Sequence, residues 1–289
     1  MNRAKSSLPV QIFSFFALVR VQNILLIGMA FFLTAKYFFA PGKSFWDLFN
    51  DHKFIALLLA TTISIASGYI INAFYDIKKD MINRPEKTIL EQQLSQKKRL
   101  NLYFLFNFLV VGIAWFISWR AALFFSFYIF LIWIYSHKFQ TIPVLNNIWL
   151  TVLSIFPFFG IFLYFKRFNT FIFWHAVFLF FILLIKNVLK DFVNLKGDVV
   201  EGKQTIPILY GERMAKHVVL LISLLTIIPV YKLLHFEYIG NMKYYFYLSM
   251  VLYATGFTFF YVSNKYTHWF YLLVKILLAV GVFAVILIK

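Results

Sequence analysis

Cysteine is absent from the chain, which excludes disulfides, thiolate nucleophiles and cysteine-ligated metals. Charge is scarce: 13% of the 289 residues are Asp, Glu, Lys or Arg, about half the roughly 25% of a soluble domain. Negative charge is scarcer still, with 11 acidic residues against 28 basic ones. Neither a G-x-S-x-G nucleophile elbow nor a Gly-rich phosphate loop occurs. The histidines at 52, 137, 175, 217, 235 and 268 fall at no metal-ligand spacing. Only His137 is expected near the site that the acidic segments described below would form, and a polar helix end accounts for it. The apolar runs are continuous and lack two-residue alternation, which excludes a transmembrane barrel.

What is present is apolar. Hydrophobic residues make up 62% and aromatic residues 22% of the chain, and its mean hydropathy is +0.79. A membrane-crossing helix needs about 20 mostly apolar residues. Nine stretches qualify, at about 12–39, 53–76, 99–118, 121–137, 146–165, 169–190, 214–234, 242–263 and 267–288. The expected fold is all-α: a polytopic nine-helix transmembrane bundle forming one domain over residues 1–289. The first run is too long for a signal-peptide core and reads as an uncleaved span. Placing the N-terminus inside puts 17 Lys and Arg on the inner side and nine on the outer, with Arg20 and Lys275 inside spans. The expected arrangement is therefore an integral multi-pass protein of the cell (inner) membrane, N-terminus cytoplasmic and C-terminus outside. The net charge of +17 then reflects loops facing anionic membrane lipid rather than a nucleic-acid partner.

Eight of the 11 acidic residues fall in two short segments, 76–91 and 191–212, each following a long apolar run. In the first, Asn72, Asp76 and Asp80 are four apart, which on a helix stacks them along one strip about 12 Å long. Arg84 and Lys87 follow, and Pro85 should end or bend that helix. In the second, Asn187, Asp191, Asn194 and Asp198 are spaced four, three and four, with Lys186 and Lys190 one turn apart among them. Gly197 and Gly202 suggest that this helix frays near Asp198, and Thr205-Ile206-Pro207 restarts the chain. Carboxylate oxygens beside cations suit Mg²⁺ and a phosphorylated ligand. Taken singly, each segment also reads as a solvated helix end with local ion pairs, Asp76 with Lys79 and Asp80 with Arg84. Ionisable residues at this density near a membrane edge favour the functional reading.

Together the segments resemble the UbiA superfamily of intramembrane prenyltransferases. The family pattern N-x-x-x-D-x-x-x-D followed by N-R-P stands here as Asn72, Asp76, Asp80, then Asn83, Arg84 and Pro85. The second pattern, D-x-x-D-x-x-x-D leading to G-x-x-T-x-P, stands as Asp191, Asn194, Asp198, then Gly202, Thr205 and Pro207. Tyr135-Ser136-His137-Lys138 with Pro143, and Arg20-x-x-Asn23 in the first helix, match two weaker features. Asn194 and Asn187 stand where the family usually carries acidic residues, and Ala73 replaces a frequent Asp.

The resemblance implies a Mg²⁺-dependent enzyme that transfers a polyprenyl group from its diphosphate to an acceptor, releasing pyrophosphate at the cytoplasmic face. It implies Asp76, Asp80, Asp191 and Asp198 as catalytic metal ligands with Asn72, and leaves Asn187 and Asn194 as open ligand positions. It implies Arg84, Lys87, Lys138, Lys186, Lys190, Arg20, Asn23, Tyr135 and Ser136 as diphosphate-side residues. Within the family, the Arg20-x-x-Asn23 helix and the second motif are most similar to the branch that prenylates geranylgeranylglycerol phosphate. An aromatic quinone precursor is the alternative acceptor. A transporter is the rival class, and it predicts ionisable features near mid-membrane in paired halves.

Overall fold

The computed structural model describes residues 7–288; the expected N-terminal basic pair Arg3 and Lys5, and Lys289, lie outside them. The described residues are helical, with no strand among them. In chain order the α-helices are α1 (Leu8–Val19), α2 (Val21–Thr34), α3 (Phe45–Phe49), α4 (His52–Tyr75), α5 (Ile77–Asn83), α6 (Pro85–Glu91) and α7 (Gln96–Ile117). They continue as α8 (Trp119–His137), α9 (Leu145–Phe165), α10 (Thr170–Val193), α11 (Leu195–Val200), α12 (Ile206–Leu234), α13 (Met242–Val262) and α14 (Thr267–Ala284). Nine helical segments among the described residues are long and apolar enough to cross a membrane, from Val21–Phe39 to Asn264–Leu287. Each answers to one of the nine runs expected from the sequence.

Polar caps set several ends. Asp51, Ser95, Ser118 and Asn169 each accept a backbone N–H from the first turn of α4, α7, α8 and α10, removing one of the donors a helix start leaves unpaired. Pro85 opens α6, where its missing N–H costs nothing. Thr205 and Pro207 open α12, which kinks at Gly211 (φ 80°). Inside the bundle, α4 packs chiefly on α7, and α10 on α12. Phe31, Phe54, Phe125 and Ile161 fill one buried cluster, and Ile185, Leu189, Phe260 and Phe270 a second.

Three expectations are corrected, all by breaks that apolarity cannot reveal. The first run is not one helix over 12–39: Arg20 adopts φ 53° and ψ 56°, ending α1 and starting α2, and residues 35–39 form a π-helical turn. Asn72, Asp76 and Asp80 do not share one straight helix, because Asp76 (φ −88°, ψ 12°) separates α4 from α5. In the second motif the break falls at Asn194 (φ −95°, ψ 5°), and Gly197, expected to fray, lies inside α11. Around Asp76 and Asn194 the i+4 backbone bonds persist, Asp80 N to Asp76 O at 2.8 Å and Asp198 N to Asn194 O at 3.0 Å. Each motif is thus a long helix bent at its middle polar residue into a short one.

Candidate functional site

The two bent motifs meet. Asn83 Nδ2 donates to the Asn194 carbonyl at 3.3 Å, and Gly197 N donates to Asn83 Oδ1 at 3.1 Å. Only a residue without a side chain fits at 197: a Cβ there would overlap the Asn83 amide and lie 2.8 Å from the Lys79 carbonyl oxygen. Beside this seam Lys79 forms an ion pair with Asp198, whose side chain is fully buried.

The expected local pairing of Asp76 with Lys79 is therefore not formed. Asp76 instead takes a partner 127 residues away: Lys203 Nζ donates to Asp76 Oδ1 at 2.6 Å. Lys203 also donates to Gln140 Oε1 at 3.3 Å and lies 3.2 Å from Glu201. Burial raises the Asp76 carboxyl, but the Lys203 and Lys79 ammonium groups overcome that, and it ends below its ordinary value. Burial lowers Lys203, and Asp76 and Glu201 more than reverse this, leaving it raised. The pairing of Asp80 with Arg84 is formed as expected, through Arg84 Nη2 at 2.8 Å from both carboxylate oxygens.

Asp76 and Asp191 line one small polar pocket with Asn72, Lys79, Asn187, Lys190 and Lys203. Asp191 accepts from Asn147 Nδ2 at 2.9 Å, Asp76 from Asn72 Nδ2 at 2.9 Å, and Asn187 donates to Thr151 Oγ1 at 2.9 Å. Asp80 and Asp198 do not reach this pocket; they are buried behind it, held by Arg84 and Lys79. Among the described residues no three carboxylate or imidazole groups gather into a metal cluster.

The pocket continues into a cavity of about 430 Å³. Arg20, Asn23, Ser136, Lys186, Lys190 and Lys275 mark its polar end, and Ile27, Ala30, Leu153, Phe158 and Phe178 line its body. Lys190 and His175 both line it and lie 15 residues apart on α10, about 22 Å by helical rise. The αL break at Arg20, unusual for a residue with a Cβ, puts the guanidinium on this wall, with Cζ 4.8 Å from the Tyr69 ring centre. Tyr135 donates to Asn146 Oδ1 at 2.8 Å, and the buried Ser136 hydroxyl has no hydrogen-bond partner.

Three expected cations stand apart, Arg84 among them, which lines neither space and holds Asp80. Lys138 is exposed and lines neither space. Lys87 pairs with Glu91 at 3.4 Å, also off the cavity. His137 stacks against Trp133 and lines neither space. Sequence reasoning gave Lys79 only a local pairing with Asp76, and it missed Lys203, Gln140, Asn147 and Lys275. Only Lys275 carried a signal, as a charge inside a span.

The chain is 26% identical over 212 residues to the digeranylgeranylglyceryl phosphate synthase of Methanobrevibacter smithii, a match covering 70% of this chain and 74% of the relative. Its fold is similar to a solved structure described as a digeranylgeranylglyceryl phosphate synthase in membranes, with a TM-score of 0.66 at 18% identity over 95% of this chain and 97% of the other. It is also similar to a UbiA homologue from Archaeoglobus fulgidus bound to GPP and Mg²⁺, with a TM-score of 0.65 at 16% identity over 94% and 99%. The sequence pattern of the UbiA prenyltransferase family runs through residues 25–268, and the chain belongs to that family.

Proposed function

We propose that this membrane prenyltransferase transfers a polyprenyl group from its diphosphate to a glycerol-phosphate prenyl lipid, with Mg²⁺, at the cytoplasmic face. The observation that carries this reading is the placement of Asp76, Asp191, Lys79, Lys190 and Lys203 together at one end of a long apolar cavity. A diphosphate suits the charged end and its prenyl chain suits the apolar body. The names of the relatives favour the lipid acceptor.

The donor set fits a divalent cation shared with the diphosphate. Asp76 and Asp191 offer hard carboxylate oxygens to the pocket, and Asn187, 1% exposed, has an Oδ1 that accepts no hydrogen bond. Two carboxylates with phosphate and water oxygens suffice for Mg²⁺. Asp76 and Asp191 would hold it, with Asn72 and Asn187 beside them and Asp80 and Asp198 behind. Bound there, Mg²⁺ supplies Lewis-acid stabilisation of the leaving diphosphate.

The chain's own residues do the rest. Lys79, Lys190 and Lys203 hold cations where negative charge grows as the allylic C–O bond breaks and its electron pair leaves with the diphosphate. The acceptor hydroxyl oxygen then bonds to the allylic carbon, and its proton ends on pyrophosphate. The aromatic cavity walls, Tyr69, Tyr128 and Phe158 among them, exclude water and present π faces to the allylic cation.

The test is turnover by the purified chain in nanodiscs with geranylgeranyl diphosphate and Mg²⁺. One tube holds geranylgeranylglycerol phosphate and another holds hydroxybenzoate. Product in the lipid tube, lost with EDTA and in Asp76→Ala and Asp191→Ala, is the expected result. Product in the aromatic tube alone overturns the lipid reading.

A further inference from the structure

The cations on the cavity wall divide into two groups. Lys79, Lys190 and Lys203 lie with the carboxylates in the polar pocket. Arg20, Lys186 and Lys275 line only the larger cavity, and among the described residues none of the three forms an ion pair. The charges acting on Lys186 are Lys275 and Arg20, both of its own sign. Glu91 is the carboxylate that feels Arg20, and its own partner is Lys87. Lys275 is eight residues into α14, about 12 Å along its axis, with Nζ 5.5 Å from the Tyr271 ring centre. Three like charges facing one space within the membrane repel one another and are costly to desolvate. An anion between them removes both penalties.

The geometry points to a second anion site, formed by Arg20, Lys186 and Lys275, that holds the phosphate of the acceptor lipid while the carboxylate pocket holds the diphosphate of the donor. This rests on the lipid-acceptor reading above. Lys186 is one turn from Lys190 on α10, about 6 Å along the helix. In a glycerol phosphate the free hydroxyl is two carbons from the phosphate ester oxygen. A phosphate held at Lys186 therefore brings that hydroxyl level with Lys190 and Asp191, where the allylic carbon of a diphosphate in the pocket would lie. The arginine fork suits a phosphate held by two hydrogen bonds, and the lysines add point charges.

The experiment measures steady-state kinetics of Lys275→Met and Lys186→Met in nanodiscs, varying geranylgeranylglycerol phosphate and geranylgeranyl diphosphate separately. Losing one charge-assisted contact should raise the acceptor KM at least about tenfold, while the diphosphate KM stays within about twofold. Lys275→Arg, which keeps the charge, should restore most of the acceptor KM. Geranylgeranylglycerol, which lacks the phosphate, should react slowly and equally with wild type and Lys275→Met. Equal rises in both KM values, or no change in either with wild-type turnover intact, overturn the second site and leave the lipid reading standing. No wild-type turnover of the lipid phosphate overturns the lipid reading, and this inference with it. Unchanged melting temperatures separate lost binding from lost folding.

Discussion

At the scale of single residues, the Asp76–Lys203 pair ties the first motif to the loop after the second. Both side chains are under 10% exposed. Removing one partner of a buried pair leaves the other charged and desolvated, at a cost of about 3–5 kcal/mol. Lys203→Met should therefore lower the thermal midpoint strongly, and adding Asp76→Asn should recover much of the loss. A melt of the two variants beside wild type checks this; recovery fails if Lys203 acts mainly through Gln140. The pH dependence follows from the shifts. Asp76 lies below its ordinary 3.8, so its contribution is present above that value and is lost as pH falls through the depressed pKa. Lys203 lies above its ordinary 10.5, so its contribution is present below that value and is lost as pH rises through the elevated pKa. The contribution of the pair to wild-type stability should hence stay level from about pH 5 to about pH 9, which melts of wild type across that range check.

Between elements, the seam of α5 and α11 decides whether the two motifs face each other. Gly197→Ala would drive a methyl into the Asn83 amide and toward the Lys79 carbonyl, so one short helix must shift. Overpacking of this kind costs about 1–3 kcal/mol, and the shift would misalign Lys79 with Asp198. Gly112→Ala on α7 is the control, since a Cβ there meets nothing within 4 Å. Activity and melting temperature should both fall for Gly197→Ala and stay near wild type for Gly112→Ala. The sequence shows why this seam was hard to foresee. Span positions were legible because run length and hydropathy are local properties. The aspartate spacing and Pro85 marked the motifs, and Thr205 and Pro207 marked the restart. The partners of those aspartates were not legible: Lys203 reaches back 127 residues to Asp76, and Asn147 bonds Asp191 across 44. The bends at Asp76 and Asn194 were hidden too, because their backbone bonds continue through them and no Gly or Pro stands there.

For the whole molecule, the contacts gather the segments of the site on one side of the membrane. Crossing nine times places the segments after the second and sixth spans on the same side, and Lys79–Asp198 and Asn83–Gly197 bring those two segments together. Lys203 bonding Gln140 adds the segment after the fourth span. This is the side where 17 of the 28 cations gather, and on the positive-inside rule we propose that it faces the cytoplasm. The absence of cysteine makes the assignment directly measurable, because a single introduced thiol has no background. Gly42 lies in the exposed segment before α3, where added bulk meets nothing within 4 Å, and Lys97 is exposed at the start of α7. In intact cells a membrane-impermeant maleimide should label Gly42→Cys and spare Lys97→Cys until the membrane is permeabilised. The reverse pattern would place the carboxylate pocket outside, where its charged acceptor would have to arrive from the opposite face, and the cytoplasmic reaction proposed for this chain would fall.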